Sequence, residues 1–385
     1  MRVAVVSAFA ESLPTFRGEM LRSMVANGHV VLGLGPEDHP AVRSALAALG
    51  VAYATVPLDR TGMNPLRDAW TVAMLAKRYR DFRAEAVLVY SPKPVVYGSI
   101  AARLAGVPLR AAMITGVGSA LAGGPGPRRR ALALLLRSLY AISLRHVDIV
   151  FFQNSDDERL FRAMGLVRRR QRVVRINGSG VDLEWFSPAP LPPKPITFLM
   201  IARLIRDKGV AEYVEAGRRV RRAHPDVRVQ LLGSLDPNPS AISPREFDEW
   251  RREGVVELLD ITADVRPHLA GAHVYVLPSY GEGMPRSVLE AMAMGRPILT
   301  TDVPGCRETV VPGRNGLLVP PRDAAALADG MLRMMAEPAR LVSMGRESRA
   351  MAEERFDVHA VNREILQAMG LDRGPAASGR ATIGR

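Results

Sequence analysis

Apolar runs of strand length alternate with longer segments of helical period along the first half of the chain. Seven such runs fall at Arg2–Ser7, His29–Gly35, Val51–Pro57, Ala86–Tyr90, Leu109–Ile114, Asp148–Phe152 and Arg172–Ile176. The helical segments between them include Arg17–Asn27, Pro40–Leu49, Pro65–Phe82, Val95–Ala105 and Arg128–Leu144. Several of these begin near a proline and end at a glycine, as helices prefer. The alternation predicts crossover units in a parallel sheet, so this half is expected to be Rossmann-like.

A proline-rich segment separates this series from a second one. Residues Ser187–Pro195 read SPAPLPPKP, which favours a stiff linker because proline donates no backbone hydrogen bond to a sheet. Further strands are expected at Ile196–Ala202, Val227–Leu232, Val255–Leu259, His273–Leu277, Pro297–Thr300 and Gly316–Val319, with a helix at Gly209–Ala223. The stretch from Arg322 to Gly370 has a helical pattern throughout.

These patterns predict an α/β protein with two facing Rossmann-like domains and a cleft between them. The first domain would span residues 1–186 and the linker residues 187–195. The second would span 196–370, with last helices that could pack back on the first domain. Residues 371–385 lack an apolar period and are expected to form a disordered tail.

Composition agrees with a globular chain of two domains. Its 385 residues exceed the ~250–300 at which one core stops growing, and 48% hydrophobic with 24% charged residues excludes disorder as the main character. The single cysteine, Cys306, excludes a disulfide framework and a cysteine-based zinc cluster. The longest uncharged run, Ala111–Pro127, is short and interrupted by glycine and proline, so no spanning helix is expected.

The formal net charge of +13 lies almost entirely in the first half. Residues 1–190 carry 25 Lys and Arg against 14 Asp and Glu, a net of +11, whereas residues 191–385 carry 27 against 25, a net of +2. A basic face could bind nucleic acid, an anionic membrane surface or a phosphorylated substrate. The alternative is a compositional bias, since 48 of the 52 basic residues are arginine.

Ligands of open parallel sheets bind at the carboxyl ends of the strands, where helix N-termini offer N–H groups to phosphate. After the first strand lies Gly18 but no G-x-G-x-x-G, which argues against a dinucleotide enzyme. In the second domain Arg203 ends the first strand and Lys208 precedes Gly209 and a helix. A guanidinium and an ammonium at one loop suit a diphosphate, although solvated surface charges are the alternative.

The strongest local signal is PSYGEGMPRSVLE at residues 278–290. Glu282 lies in a glycine-rich loop, Pro285 lies near the start of the next helix, and Glu290 follows about two helical turns after Glu282. Both carboxylates could address one ligand, with the helix N-terminus near phosphate and Glu290 accepting hydrogen bonds from a ribose diol. Ordinary exposed glutamates are the alternative.

Taken together, these motifs resemble a known family. Arg203 with Lys208–Gly209, the run PSYGEGMPRSVLEAMAMGRPILTTDVPGCRE and the segment NGLLVP are similar to the retaining glycosyltransferases of family 4 (glycosyltransferases group 1), which have the GT-B fold. Glu282 and Glu290 match that family's pair of glutamates separated by seven residues. The segments FRGEML, YSPKPVVYGSIAARLAGVP and FFQNSDDERLF resemble the subgroup that builds bacterial surface polysaccharides and lipid-linked oligosaccharides.

The resemblance implies a role for each matched residue. Arg203, Lys208 and Glu282 would be the catalytic set, with the two cations on the donor diphosphate and the carboxylate facing the donor sugar. Glu290 would bind the ribose, and Gly18 would approach the diphosphate from the opposite domain. The remaining donor-binding residues would be Gly283, Met284, Pro285 and Ser287. No side-chain nucleophile, metal or other cofactor is expected, so cations and amides must stabilise the leaving diphosphate.

The acceptor side departs from the family pattern. Many relatives carry a histidine after the fifth strand, but the segment here reads MITGVGSAL. Candidates to contact the acceptor are the polar residues at or near strand ends, Glu11, Lys93, Thr115 and Ser119. The resemblance implies a glycan or polyprenyl-diphosphate-linked acceptor and a nucleotide-sugar donor, with UDP as the expected nucleotide and a hexosyl or N-acetylhexosaminyl group transferred.

The helix Arg128–Leu144 begins with three arginines and continues with apolar residues. It could lie on anionic lipid or pack into the core. With the basic first half, the lipid interpretation predicts a cytoplasmic protein peripheral to the inner face of the cell membrane. Alternative functions are a nucleotide-sugar epimerase of GT-B fold and a basic nucleic-acid-binding protein. Aromatic residues make up only 5% of the chain, which argues against the last, and no nucleic-acid partner is expected.

Overall fold

The structure is a computed structural model that describes residues 1–59, 64–117, 121, 126–236, 238 and 240–373, with Arg128 and Arg129 described only at the backbone. Its first sheet has seven parallel strands in the order β3-β2-β1-β4-β5-β6-β7. These strands are β1 Arg2–Val6, β2 Val30–Gly35, β3 Ala52–Thr55, β4 Ala86–Tyr90, β5 Leu109–Ile114, β6 Ile149–Phe152 and β7 Arg172–Arg175.

Helices cover both faces of this sheet. They are α1 Ser12–Ala26, α2 Pro40–Ala48, α3 Pro65–Phe82, α4 Ser99–Leu104, α5 Pro127–Leu144 and α6 Ser155–Ala163, with a π-helical turn at Pro94–Gly98 before α4. Two apolar clusters, one on each side of the sheet, bury the strand residues. Near-continuous Val, Ile, Leu and Phe runs are typical of strands covered on both faces, which explains why the sequence pattern predicted them.

The second sheet has six parallel strands in the order β10-β9-β8-β11-β12-β13. The strands are β8 Thr197–Ile201, β9 Arg228–Leu232, β10 Glu257–Leu259, β11 Val274–Leu277, β12 Ile298–Thr301 and β13 Gly316–Val319. The helices are α7 Val210–Ala223, α8 Pro244–Glu253, α9 Arg266–Ala270, α10 Arg286–Ala293, α11 Ala324–Ala336, α12 Pro338–Arg355 and α13 Val358–Met369. The predicted fold class, two facing Rossmann-like domains, is confirmed.

Helix α13 packs on the first domain. Its residues Val361, Ile365 and Leu366 belong to the same apolar cluster as Val3 and Met20. Leu371 follows directly, inside the segment predicted to be a disordered tail. Leu371 is buried, and its carbonyl accepts hydrogen bonds from the side chains of Asn27 at 2.9 Å and His29 at 3.0 Å. Residues 374–385 of that segment lie outside the described residues.

Within the described residues the chain crosses between the domains twice, and the two crossings are paired by backbone hydrogen bonds. Val181 and Val358 exchange backbone hydrogen bonds with the facing segment, at 2.8 Å to the Phe356 carbonyl and 3.0 Å to the Val181 carbonyl. The segment that follows is fixed to the second domain. Arg349 donates to the carbonyls of Leu183 and Phe186, and Arg296 donates to those of Ala189 and Pro190.

Candidate functional site

Two loops of the second domain are packed together at the carboxyl ends of β8 and β11. A 3₁₀ turn, Arg206–Lys208, is followed by Gly209, which is the N-cap residue of α7 and has a φ of +73°. A Cβ at Gly209 would collide with the Pro278 carbonyl, so glycine is required both by conformation and by space. The backbone N–H of Tyr280 donates to the Asp207 carbonyl at 2.8 Å. This packing fixes the glycine-rich loop against the turn that carries Lys208.

Lys208 and Glu282 form an ion pair across these loops. The Lys208 ammonium lies 2.5 Å from a carboxylate oxygen of Glu282, and the two side chains are only 22% and 12% exposed. Cys306 is buried beside them, and burial, with the Glu282 charge, raises the pKa of its thiol to about 12. The thiol is therefore neutral, and the exposed edge of the pair presents one cation and one carboxylate.

Arg203, at the end of β8, is held from a different side. Its guanidinium lies 3.0 Å from a carboxylate oxygen of Asp236, whose side chain is almost buried. Arg203 itself remains 43% exposed, so it is accessible to a ligand. Sequence reasoning missed Asp236, because nothing in its local sequence indicates which cation a loop carboxylate will contact.

Glu290 lies on α10 and pairs with Arg286 one helical turn earlier, at 2.8 Å. Burial raises the pKa of the Glu290 carboxyl, and Arg286 acts in the opposite direction. Arg286 also reaches the first domain, where it donates to the Thr15 carbonyl and lies over the Phe16 ring at 4.9 Å. Arg286 therefore links the helix that carries Glu290 to α1. The sequence did not indicate this link, although the spacing of four residues between Arg286 and Glu290 is typical of an ion pair on a helix.

A cavity of about 370 Å³ lies between the domains at this point. Gly18 and Glu290 line it from opposite sides, so the structure brings these two predicted residues to one cavity. A Cβ at Gly18 would meet only Leu49, at 3.8 Å, so protein packing alone does not require glycine there. Other lining residues are Phe16, Glu19, Trp185, Asp264, Val265 and Arg286.

The glycine-rich loop of the second domain also rests on the first. A Cβ at Gly283 would collide with the Thr115 carbonyl, so the loop can approach this closely only with glycine. The Asn154 amide donates to the carbonyls of Gly283 at 2.8 Å and Glu282 at 3.3 Å. The Met284 side chain packs against Gly178, where an added Cβ would lie 2.6 Å from the Met284 Cγ atom. The loop that contains the predicted sugar-facing residues is thus held from both domains.

Asn154 is itself positioned by α6. Its side-chain oxygen accepts the Asp157 N–H at 2.8 Å as the N-cap, and its amide nitrogen lies 3.0 Å from the Asp157 carboxylate. Burial raises the pKa of Asp157 to about 6. Two more cross-domain contacts flank this one: Arg307 pairs with Asp156 at 2.8 Å, and Glu308 accepts from Ser155. Sequence reasoning missed these residues because their partners lie about 150 positions away.

The other residues predicted for the donor and acceptor sites each lie in a different environment. Pro285 occupies the N-cap position of α10 and Ser287 lies in its first turn. Among the acceptor candidates, Glu11 lies 3.7 Å from His39 and is half exposed, and Thr115 contacts the glycine-rich loop. Lys93 is largely buried in an ion pair with Asp68 at 2.9 Å. The fourth acceptor candidate, Ser119, lies outside the described residues.

Two further observations concern metals and membranes. Within the described ranges, we find no cluster of three or more His, Cys, Asp or Glu side chains arranged to hold a metal ion. In that same part of the chain, no helix combines the length and apolar character needed to cross a bilayer.

Sequence and structure comparisons give a consistent assignment. The family model described as "Glycosyl transferase 4-like domain" matches residues 15–178, and the model "Glycosyl transferases group 1" matches residues 195–337. The chain is 27% identical to an N,N'-diacetylbacillosaminyl-diphospho-undecaprenol alpha-1,3-N-acetylgalactosaminyltransferase of Campylobacter jejuni, over 86% of this chain and 88% of that protein.

Solved structures share the whole architecture. A sucrose-phosphate synthase from Thermosynechococcus elongatus aligns with a TM-score of 0.78 at 19% identity, over 96% of this chain and 98% of that one. HepE of Anabaena, solved with UDP and glucose, aligns with a TM-score of 0.76 at 17% identity, over 96% and 99%. The chain belongs to the group 1 glycosyltransferases of family 4, and it is a glycosyltransferase with the GT-B fold.

Proposed function

We propose that this glycosyltransferase moves a sugar, with retention, from a UDP-sugar to a lipid-linked glycan acceptor. The observation that carries the proposal is the interdomain cavity lined by Gly18 and Glu290. Arg286 and Glu290 of its lining lie on the helix that follows the glycine-rich loop, and Glu282 of that loop is paired with Lys208 of the neighbouring turn. A nucleotide-sugar needs this combination: a cavity for the nucleoside, cations for the diphosphate and a carboxylate for the sugar.

The nucleoside would bind in the cavity. Its volume of about 370 Å³ lies within the range of small-molecule sites. Glu290 would accept hydrogen bonds from the ribose hydroxyls, and Arg286 fixes its orientation. The segment Ala263–Val265 lines the same cavity and would face the base. Gly18 would allow the diphosphate to approach α1, since packing leaves space where a side chain could have been.

Arg203 and Lys208 would hold the diphosphate. In this structure each has a carboxylate partner, Asp236 and Glu282, so both cations are oriented before the donor arrives. The leaving diphosphate gains negative charge as the glycosidic bond breaks, and preorganised cations stabilise it in proportion. Glu282 would turn from Lys208 to the donor sugar. This mechanism needs no protein nucleophile, because the acceptor hydroxyl would attack the anomeric carbon on the face from which the diphosphate leaves. As the bond from that carbon to the diphosphate oxygen breaks, a phosphate oxygen of the leaving diphosphate would take the hydroxyl proton.

The acceptor would bind on the first domain. The Campylobacter relative is named for a diphospho-undecaprenol acceptor and for transfer of an N-acetylgalactosaminyl group. We therefore assign this chain a polyprenyl-diphosphate-linked glycan as acceptor and a hexosyl or N-acetylhexosaminyl group as the transferred sugar. UDP is chosen as donor nucleotide because HepE, which shares the fold, was solved with it.

A lipid-linked acceptor favours docking at the inner face of the cell membrane. On α5, Leu134, Leu135 and Ile142 are exposed although Tyr140 and Leu144 of the same helix are buried. One face of α5 therefore packs against the first domain, and another face presents apolar side chains to the surroundings. Helix α3 adds Leu66 and Trp70, both exposed. An amphipathic surface preceded by arginines is the pattern of reversible binding to anionic lipid.

A donor panel tests the proposal. The purified protein would be incubated with UDP- and GDP-sugars, with and without a short polyprenyl-diphosphate-linked sugar, and the product anomer read by NMR. We expect thermal stabilisation by UDP, slow hydrolysis of one UDP-sugar, and faster transfer with retained configuration when the acceptor is present. Conversion of the donor into its epimer without transfer would instead identify an epimerase. Inversion of the anomeric configuration would contradict the same-face mechanism.

A further inference from the structure

Arg17 is a fully buried arginine that the donor site does not use. It lies on α1 next to Gly18, but its side chain points toward the first sheet, away from the cavity. One terminal nitrogen, Nη2, contacts the Met113 sulfur at 2.8 Å, and the guanidinium carbon lies 5.1 Å from the centre of the Tyr90 ring. The other two nitrogens, Nε and Nη1, are buried and have no hydrogen-bond partner among the described residues.

No carboxylate side chain neutralises this charge. The described residues contain no ion pair to Arg17, and the residues outside the described ranges include no aspartate or glutamate. Burial lowers the pKa of Arg17 to about 10, which is still well above neutrality, so the guanidinium remains charged. A sulfur atom and an aromatic face are weak partners for a buried cation, and such a charge is costly to a fold.

Arg296 is the natural comparison within the same chain. It is also completely buried, but its nitrogens donate to the carbonyls of Ala272 at 2.8 Å and Met294 at 3.0 Å, and further to Ala270, Ala189 and Pro190. These bonds tie together the interdomain segment and the second sheet. Arg296 is therefore a structural residue, whereas Arg17 lacks the contacts that a structural arginine would have.

Arg17 lies where a ligand of the first domain would bind. Strand order in the first sheet reverses between β1 and β4, and open α/β sheets bind ligands in the crevice at that point. Ser7, at the end of β1, is 2.7 Å from Ser12, which is 2.9 Å from the Tyr90 hydroxyl at the end of β4. These buried hydroxyls form a polar floor beside the guanidinium.

The same place is close to the donor sugar. Met113 lies on β5, two residues before Thr115, whose carbonyl touches Gly283 of the glycine-rich loop. Two residues of a strand span about 7 Å, so a group bound at Arg17 would be near the loop that faces the sugar. Arg286, which holds the first turn of α1, closes the crevice from the second domain. The cleft must open for a ligand to enter.

We propose that Arg17 binds a phosphate of the acceptor, so that the crevice between β1 and β4 is the site for the acceptor's diphosphate. This inference rests on the proposed function, in which the acceptor carries a diphosphate. A planar guanidinium with two free donor nitrogens suits bidentate contact with phosphate. The donor's own diphosphate is assigned to Arg203 and Lys208 across the cleft, which leaves Arg17 for the second substrate.

Calorimetry with two anions tests the assignment. The protein would first be saturated with UDP and then titrated with inorganic pyrophosphate. We expect a second site in the wild type, weakened by more than about tenfold in Arg17→Met and partly retained in Arg17→Lys, because a truncated buried charge contact is costly. The affinity for UDP should be unchanged in both variants. No pyrophosphate site in the UDP-saturated wild type, or an equal site in Arg17→Met, would overturn the proposal.

Thermal melting supplies the second readout. Without ligand, Arg17→Met should melt at a higher temperature than the wild type, because the variant removes an unpartnered buried charge. Arg296→Met should melt at a lower temperature, because it leaves several carbonyls unpaired. A lower Tm for Arg17→Met with undiminished pyrophosphate binding would make Arg17 a structural residue. If UDP affinity falls in place of pyrophosphate affinity, Arg17 serves the donor and the acceptor assignment is wrong.

These measurements are independent of turnover. If the protein binds pyrophosphate through Arg17 but neither hydrolyses a nucleotide-sugar nor transfers its sugar to the lipid-linked acceptor, the proposed function is refuted and the anion site still stands. If the Arg17→Met variant transfers sugar at the wild-type rate, only the role proposed for Arg17 is refuted.

Discussion

The two domains have similar parallel sheets, but the cations near the ends of their strands differ in whether a carboxylate pairs with them. In the second domain Lys208, Arg203 and Arg286 each contact a carboxylate of the same domain. In the first domain Arg17 is enclosed without one. The second domain therefore holds its charges in place before the donor binds, whereas the first carries a charge that its own residues leave unsatisfied. The proposed donor and acceptor sites therefore differ in how their cations are held.

The largest expected effect follows from the paired cations. Lys208→Ala and Arg203→Ala should each reduce transfer by about 10²–10³, because each removes one preorganised partner of the leaving diphosphate. Steady-state rates with the UDP-sugar identified in the panel would measure this. Lys77→Ala is the matched control, since Lys77 also pairs with a carboxylate, Asp81 at 2.6 Å, but on an exposed helix surface. A folded Lys208→Ala enzyme with wild-type turnover would remove the donor assignment.

The second domain was also the more predictable one from sequence. The donor residues proposed for it lie in two short segments, around Lys208 and Glu282, where the positions of glycines are determined by local turns and close approaches. Gly209 and Gly283 are examples, because both are required by a carbonyl within contact distance. Local constraints of this kind produce a recognisable sequence motif. The central strands of both sheets could be predicted for a similar reason, since strands buried on both faces are nearly continuous apolar runs.

The contacts between the domains could not be predicted in this way. Asn154 signals only an N-cap in the sequence, yet its amide also holds the Gly283 carbonyl, 129 positions away. Arg17 looks like any arginine in a helix, and its burial depends on the ends of β4 and β5. Similarly, the proline-rich segment was predicted to be a stiff linker between the domains, whereas the carbonyls of Ala189 and Pro190 within it accept hydrogen bonds from Arg296 of the second domain. The chain passes between the domains at the paired segments around Val181 and Val358.

The difference in net charge between the two halves gives the next prediction. Arg128, Arg129 and Arg130 begin α5, and each basic residue near an anionic surface contributes about 1 kcal/mol. Replacing all three by serine should therefore weaken binding to anionic vesicles by roughly 10² at low salt. Vesicle sedimentation with anionic and neutral lipids would measure it, and high salt should release the wild type.

The second domain provides the control for this measurement. Arg245, Arg251 and Arg252 on α8 are exposed, so replacing them by serine removes the same charge from the other half of the chain. We expect that variant to sediment with anionic vesicles as the wild type does. Equal losses in both variants would mean that net charge alone, and not the surface of α5, drives binding. Equal recovery from anionic and neutral vesicles would reduce the basic first half to a compositional bias.

A smaller effect is expected at the contact between domains. Asn154→Ala removes two hydrogen bonds to the glycine-rich loop, each contributing about 0.5–1.5 kcal/mol, so donor affinity should fall by roughly tenfold. In small-angle scattering with UDP present, the Asn154→Ala variant should have a larger radius of gyration than the wild type. Asn64→Ala is the control, because Asn64 also caps a helix, α3, through bonds to Leu66 and Arg67 of its own domain. If the two variants lose stability alike and neither loses donor affinity, Asn154 serves only α6.

The smallest effect concerns the pH dependence of donor binding. Burial raises the pKa of Glu290, so this carboxyl takes up a proton at a higher pH than an ordinary glutamate, while the Arg286 charge limits the rise. Protonation converts one of the two acceptor oxygens into an O–H donor and so reduces the capacity of Glu290 to accept hydrogen bonds from the ribose hydroxyls. UDP affinity should therefore weaken a few-fold as the pH falls toward that pKa. Glu290→Gln should bind UDP weakly, because an amide has one acceptor oxygen where the carboxylate has two. The affinity of this variant should not change with pH in this range, because the amide cannot titrate.

Measuring folding stability distinguishes this loss of UDP affinity from acid unfolding, because the Glu290 carboxyl changes stability and affinity in opposite directions as the pH falls. A carboxyl whose pKa is raised in the folded state adds stability below its unfolded pKa, and this contribution is lost as the pH rises through the folded pKa. Glu290 therefore favours the unliganded fold at low pH while it loses affinity for UDP. Calorimetry of UDP binding and thermal melting would be run across the same pH series. A parallel fall of Tm and affinity in the wild type, repeated in Glu290→Gln, would show that another group controls the donor site.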